Sequence, residues 1–225
     1  MFGKIVLGLG FVLLLSGCPT VRTDQPRQPE QIDVHGPYQH TASGMIFPAS
    51  VGDYIRERIM RYDRDALDVS VGYNLIRPPR ILFATVYVYP APSVVSILSP
   101  PHVAATARSL AAKNEYARSK HEILQSHPLA TLLGEVEASL VKGNATYQGW
   151  KAIFELDGAR FGQREKVISY LYVFSYIGGS WTVKYRFTHP KSIEETQEIE
   201  TFLRNLEWTF KSSLSVNVPG IIEIK

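Results

Sequence analysis

The chain has 225 residues, 45% hydrophobic, 11% aromatic and 20% charged, which supplies one sizeable core and excludes a disordered chain. Its formal charge is +3, and its longest basic grouping (Arg56, Arg58, Arg61, Arg64) is interleaved with Glu57, Asp63 and Asp65, so it reads as a solvated strand face and excludes a nucleic-acid binder. A single cysteine, Cys18, excludes an intramolecular disulfide and a cysteine-based zinc site.

Met1-Phe2-Gly3-Lys4 gives a short positive start, and Ile5 to Leu15 is an unbroken run of apolar residues and glycine. A run of this length is a signal peptide rather than a spanning helix, which takes roughly 20 residues. Leu15-Ser16-Gly17-Cys18 follows directly and resembles the bacterial lipobox. The resemblance implies cleavage after Gly17, a diacylglycerol on the Cys18 sulfur and an acylated new amine. Each buried methylene contributes about 0.8 kcal/mol, so two or three chains anchor stably where one does not. Loss of Lys4 with the leader takes the charge from +3 to +2. In Gram-negative lipoproteins an Asp after the cysteine favours inner-membrane retention; here that position is Pro19, so the expected location is the periplasmic side of the outer membrane. In a Gram-positive cell it would be the cell membrane.

Residues 18–44 read as the lipidated cysteine and a flexible tether, rich in Pro, Gln and Thr, with a span of roughly 25 to 30 Å. A single α+β domain is expected over 45–225. Tyr54 to Tyr62 and Asp68 to Leu75 alternate and should pair as a hairpin through Arg64 to Leu67. Ile81 to Tyr89 is apolar on both faces, which predicts a central strand covered on both sides. His102 to about Ser126, free of Gly and Pro and bounded by Pro100-Pro101 and Pro128, predicts a helix. Four strands are expected next: Leu132 to Val141, Tyr147 to Leu156, Glu165 to Ile177 and Trp181 to Thr188. The turns lie at Gly143-Asn144, Asp157-Gly158 and Gly178-Gly179-Ser180. Ser192-Ile193-Glu194-Glu195 reads as a capping box opening a second helix with an apolar stripe at Ile193, Ile199, Phe202, Leu203 and Leu206, before short C-terminal strands.

This order predicts a mostly antiparallel sheet flanked by two main helices. Together with Phe47-Pro48, the Val69-to-Tyr73 strand, Ala84-Thr85-Val86-Tyr87-Val88-Tyr89-Pro90 and the Trp181-to-Phe187 strand, it resembles the PsbP-like α/β/α sandwich and bacterial envelope proteins of similar strand wording. The resemblance implies a non-catalytic accessory or assembly module and carries no active-site motif.

The six histidines, His35, His40, His102, His121, His127 and His189, show no metal-ligand spacing, so no metal is expected. The sequence contains no nucleophile elbow, phosphate loop, dinucleotide fingerprint or zincin motif, and no cofactor or catalytic residue is expected. Glu135 and Glu137 share a strand face, as glycosidase carboxylates can, but acidic alternation on an edge strand accounts for them. The most distinctive feature is aromatic. Tyr170, Tyr172, Phe174 and Tyr176 alternate onto one strand face, and Tyr87 and Tyr89 sit together on another strand. An open face would let these rings bind sugars or a partner's apolar patch; a covering helix would make them core. The functional expectation is a lipid-anchored binding or scaffolding module that meets a protein or envelope component at the membrane. The alternative is an envelope hydrolase with a dispersed carboxylate and histidine site.

Overall fold

The computed structural model describes residues 28–94, 100–158 and 165–211. The leader, Cys18, the first part of the expected tether and the expected C-terminal strands lie outside the described residues. Four short strands come first: β1 (Glu30–Gln31), β2 (Tyr38–Gln39), β3 (Ile46–Phe47) and β4 (Ser50–Val51). Three long ones follow, β5 (Tyr54–Arg61), β6 (Val69–Arg77) and β7 (Arg80–Pro90), then helix α1 (Pro101–Ser126). The chain continues through β8 (Thr131–Lys142), β9 (Ala145–Gly158), β10 (Glu165–Ile177), β11 (Trp181–Pro190) and helix α2 (Thr196–Asn205).

Among the described residues the main sheet runs β1-β5-β6-β7-β11-β10-β9-β8, with β4 also on β5; β2 and β3 pair separately. Every pairing is antiparallel. The fold is α+β. Because β8 occupies the far edge and β9, β10 and β11 return one by one to β7, α1 has to cross the sheet. The expected hairpin forms, with Ile59 opposite Val71 and Arg61 opposite Val69. Gly143 (φ +56°) and Gly178 (φ +56°) supply the left-handed residues that two of the expected turns need.

Side-chain alternation divides the sheet into two unequal faces. On the first, Leu82, Ala84, Val86 and Val88 of β7 and Val183, Tyr185 and Phe187 of β11 are all buried. Phe202 of α2 closes this face, its ring 4.7 Å from Tyr54, 5.3 Å from Tyr73 and 5.5 Å from Phe187, in edge-on arrangements that suit aromatic quadrupoles. On the second face α1 contributes Tyr116 and Ile123 to a smaller cluster with Ala152, Phe154, Leu171 and Val173 of β9 and β10.

Three expectations are corrected. The expected tether to Gly44 belongs to the fold from Glu30 onward: Glu30 and Gln31 pair with Arg61 and Met60, and His40 and Ser43 are fully buried. Arg56 holds this segment by donating to the carbonyls of Val34 at 2.9 Å, Gly36 at 2.5 Å and Phe47 at 2.9 Å. Its apolar residues are too few to form a face of their own, but they finish one that the sheet already provides. The capping box at Ser192 does not open α2, which begins at Thr196, where the Glu194 carboxylate accepts from the Thr196 N–H at 3.0 Å. Finally, β7 is central, yet only one of its sides is sealed. Phe83, Thr85 and Tyr87 on the other are half-buried. A helix about 10 Å wide covers two strands spaced about 4.8 Å apart, so among the described residues α1 packs on β9 and β10, reaches β7 and β11 only at Tyr89 and Lys184, and leaves the rest of this face uncovered.

Candidate functional site

The uncovered part of the second face forms a groove beside α1. Its floor is set by strand period. Phe83, Thr85 and Tyr87 of β7 lie next to Thr188, Arg186 and Lys184 of β11, in direct register. A hollow of about 450 Å³ spreads from Arg58 and Met60 on β5 to Leu156 at the end of β9, beneath His127 at the foot of α1. Smaller hollows of about 250 and 200 Å³ continue it along α1, sharing Tyr62, Tyr87 and Lys184. The α1 wall is partly polar because its narrow buried stripe, Ala112, Glu115, Tyr116, Ser119 and Ile123, contains a carboxylate and a hydroxyl.

Charge in the groove is organised rather than scattered. At the upper end, buried Glu115 accepts from the Tyr89 hydroxyl at 2.6 Å and from Arg118 Nη2 at 2.6 Å and Nε at 3.0 Å. The Lys184 ammonium sits 4.7 Å above the Tyr87 ring centre and 5.4 Å from that of Tyr89, with Glu122 at 3.7 Å. Burial pulls its pKa down, against the opposing pull of Glu122 and Glu115. Burial also raises Asp68 above the ordinary carboxylate range. At the lower end Arg186 Nε donates to Ser169 Oγ at 3.3 Å, and its Nη2 lies 3.2 Å from His127 Nε2. Burial, then the Arg186 charge, holds His127 below its usual pKa, so its Nε2 accepts from the guanidinium. Tyr62 and Tyr87 are ring neighbours at 6.4 Å, and the Tyr62 hydroxyl lies 2.9 Å from Ser70 Oγ.

The aromatic residues marked by the sequence fall into separate places. Tyr170 and Tyr172 are buried in the core on the α2 face, with Lys151 over them at 5.0 and 5.4 Å. Tyr176 lies within a register shift between Phe174 and Ile177, at φ +64°, and its hydroxyl donates to the Pro92 carbonyl at 2.9 Å. The irregularity interrupts the alternation on which a four-ring face depends. Tyr87 lines the groove floor, and Tyr89 closes its upper end. Cys18 is outside the described residues.

Of the other marked residues, Glu135 is exposed on edge strand β8 and is engaged by Lys120 at 2.6 Å and the Tyr116 hydroxyl at 3.0 Å; Glu137 is exposed beside it. His40 and His189 are buried. The arginines expected on one solvated face are divided by a register shift between Arg56 and Arg58, which turns Arg56 to the N-terminal segment and Arg58 to the groove. Among the described residues no cluster of His, Cys, Asp and Glu could hold a metal, and no helix is long and apolar enough to cross a membrane.

Sequence reading missed Lys184, Arg186, Thr188, Tyr62 and His127 as groove residues. A signal was present: Thr182, Lys184, Arg186 and Thr188 place polar groups at every second position of one strand, although only the topology shows that this strand is interior. A polar face on an interior strand marks an uncovered sheet face. The fold and groove together define an α+β domain with one sealed and one partly open sheet face. In comparisons with known proteins, no family model and no curated protein matches the chain.

Proposed function

We propose that this protein is a lipid-anchored binding module of the bacterial cell envelope, held by Cys18 at the periplasmic side of the outer membrane, and that the groove beside α1 is its binding surface. The observation that carries the reading is the groove itself, with half-buried Phe83, Thr85 and Tyr87 on a central strand in register with Thr188, Arg186 and Lys184. A concave surface with mixed apolar walls and converging polar groups is the usual form of a ligand site. The lipobox supports the anchor. Layers of α1, sheet and α2 support the likeness to the PsbP-like α/β/α sandwich, and with it an accessory rather than catalytic role. The hydrolase alternative has less support: His127 faces Arg186 instead of a carboxylate, and the Glu135 carboxylate is engaged by Lys120 and Tyr116.

Metabolic labelling with a clickable palmitate, followed by membrane separation, tests the anchor. Label on the wild type in the outer-membrane fraction and none on Cys18→Ala is the expected result. Equal membrane retention of Cys18→Ala would overturn it.

A further inference from the structure

Helix α2 closes the first face of the sheet, away from the groove, and its N-terminal end is docked through polar groups that have no hydrogen-bond partner among the described residues. Glu195 stands at the N-cap, where a side-chain oxygen normally accepts from the first N–H groups of a helix. It makes no such bond. Its side chain turns inward instead: Glu195 is 1% exposed, and both carboxyl oxygens are buried without a hydrogen bond. The exposed Glu194 takes the Thr196 N–H in its place. The Tyr54 hydroxyl on β5 and His189 Nε2 on β11 are also buried and unpartnered, and both lie within electrostatic reach of Glu195. His189 Nδ1 donates to the Pro190 carbonyl, which can only accept. Arg80 of β7 is half exposed and paired with Glu198. Farther out, Tyr170 of β10 stacks on His189 at 5.8 Å, and Lys151 of β9 acts on Glu194.

An ionised carboxylate in such a place loses its water and gains no partner, which is among the costliest arrangements a fold can hold. A protonated one is neutral, and it brings an O–H donor to a neighbourhood whose imidazole Nε2 has none. We propose that Glu195 is a proton-operated latch: the first turn of α2 is docked while Glu195 is protonated and loosens from β5 and β11 when Glu195 ionises. The other end of α2 is held separately, by the Lys142 ammonium on the carbonyls of Leu203, Arg204 and Leu206 and by Trp208 Nε1 donating to the Tyr185 hydroxyl at 2.6 Å, so the helix opens from its N-terminus. Burial raises the Glu195 pKa above its ordinary value of 4.5, against the pull of Arg80 and His189 and with the help of Glu198 and Glu194. A folded value above the unfolded one means that docking is strongest below about pH 4.5 and is lost as pH rises through the folded value.

The test is hydrogen exchange on the full-length protein in detergent micelles at about pH 4.5, 6 and 7.5, read as protection factors for residues 196–202, which removes the intrinsic pH dependence of exchange. His40, whose burial lowers its pKa, moves the stability of the whole domain the other way, so the readout is taken on α2 itself. Wild-type protection should fall with rising pH, by up to about tenfold per unit once Glu195 ionises. Glu195→Gln, which keeps the shape and cannot ionise, should hold protection level and exceed the wild type at the highest pH. Arg80→Gln, at an exposed position, should move the fall to higher pH, because it removes a cation that favours the carboxylate. In wild-type protein carrying 13C-labelled glutamate, the Glu195 carboxyl carbon should titrate with a midpoint above 4.5. Level protection in the wild type, an equal fall in Glu195→Gln, lower protection in Glu195→Gln than in the wild type at the highest pH, or a Glu195 carboxyl that ionises at or below its ordinary value would each overturn the latch.

Discussion

Buried polar side chains carry much of the specificity of this fold at the level of single residues. His40 is enclosed with its Nε2 donating to the Ala66 carbonyl at 2.7 Å, which makes Nδ1 the acceptor of the Ser43 hydroxyl at 2.6 Å; the ring also meets Trp181 edge-on. Burial lowers its pKa, outweighing the Ala66 carbonyl and Asp63, which act in the opposite direction. The unfolded chain therefore binds the proton first. The contribution is fully present above the unfolded value of about 6.5 and is lost as pH falls below it towards the folded value. Urea midpoints measured from about pH 7.5 to 5.5 should fall for the wild type and fall less for His40→Gln; equal slopes would remove His40 from the account. Glu115 is the corresponding group on the groove side. A double-mutant cycle of Glu115→Gln and Tyr89→Phe should show a coupling of about 1 kcal/mol, since the two share one buried hydrogen bond; additive effects would contradict that contact.

Elements differ in how completely they cover the sheet, and truncations should report the difference. Phe202 on α2 is fully buried and touches four aromatic rings, those of Tyr54, Tyr73, Tyr185 and Phe187, so Phe202→Ala should cost about 3 to 5 kcal/mol in denaturant unfolding. Phe83, on the groove face of β7, is half-buried, and Phe83→Ala should cost roughly 1 kcal/mol. Equal losses would mean that the groove face is sealed. The C-terminus of α2 is held from the opposite edge of the sheet, where the Lys142 ammonium donates to the carbonyls of Leu203, Arg204 (3.0 Å) and Leu206 (2.6 Å). A cation at a helix C-terminus also answers the helix dipole. Most of these elements were legible in the sequence, because long alternating runs and a Gly- and Pro-free helix carry strong periodic signals. The start of α2 was not, since Ser192 and Glu195 satisfy the capping pattern by composition while the chain is still leaving β11. Nor was the packing of residues 30–44, whose partners are far away in sequence.

At the scale of the whole fold, the described residues form a sheet too wide for the two helices they carry, and the proposed function follows from that. Its core depends on tyrosine. Tyr54, Tyr73, Tyr89, Tyr172 and Tyr185 are all raised well above the ordinary phenol range, chiefly by burial. Their folded pKa values lie above the unfolded value of about 10, so stability is intact below pH 10 and is lost as pH rises past it, by roughly 1.4 kcal/mol per pH unit for each group. The tyrosinate absorbance of these five should therefore rise in one cooperative step that coincides with loss of near-ultraviolet dichroism, after the half-buried tyrosines have titrated; gradual titration of these five in a folded protein would contradict their burial. The groove was only half legible. Tyr87 and Tyr89 stood out as aromatics, but which face of a central strand stays open depends on how far one helix reaches across nine strands, and no local pattern encodes that. The open face is the central claim, and the direct measurement is site-specific photo-crosslinking in intact cells, with benzoylphenylalanine at position 83 in the groove and at position 137 on β8 as control. Discrete adducts from position 83 and none from 137 are predicted. Adducts from 137 with none from 83 would place the binding surface elsewhere on the sheet and contradict the account.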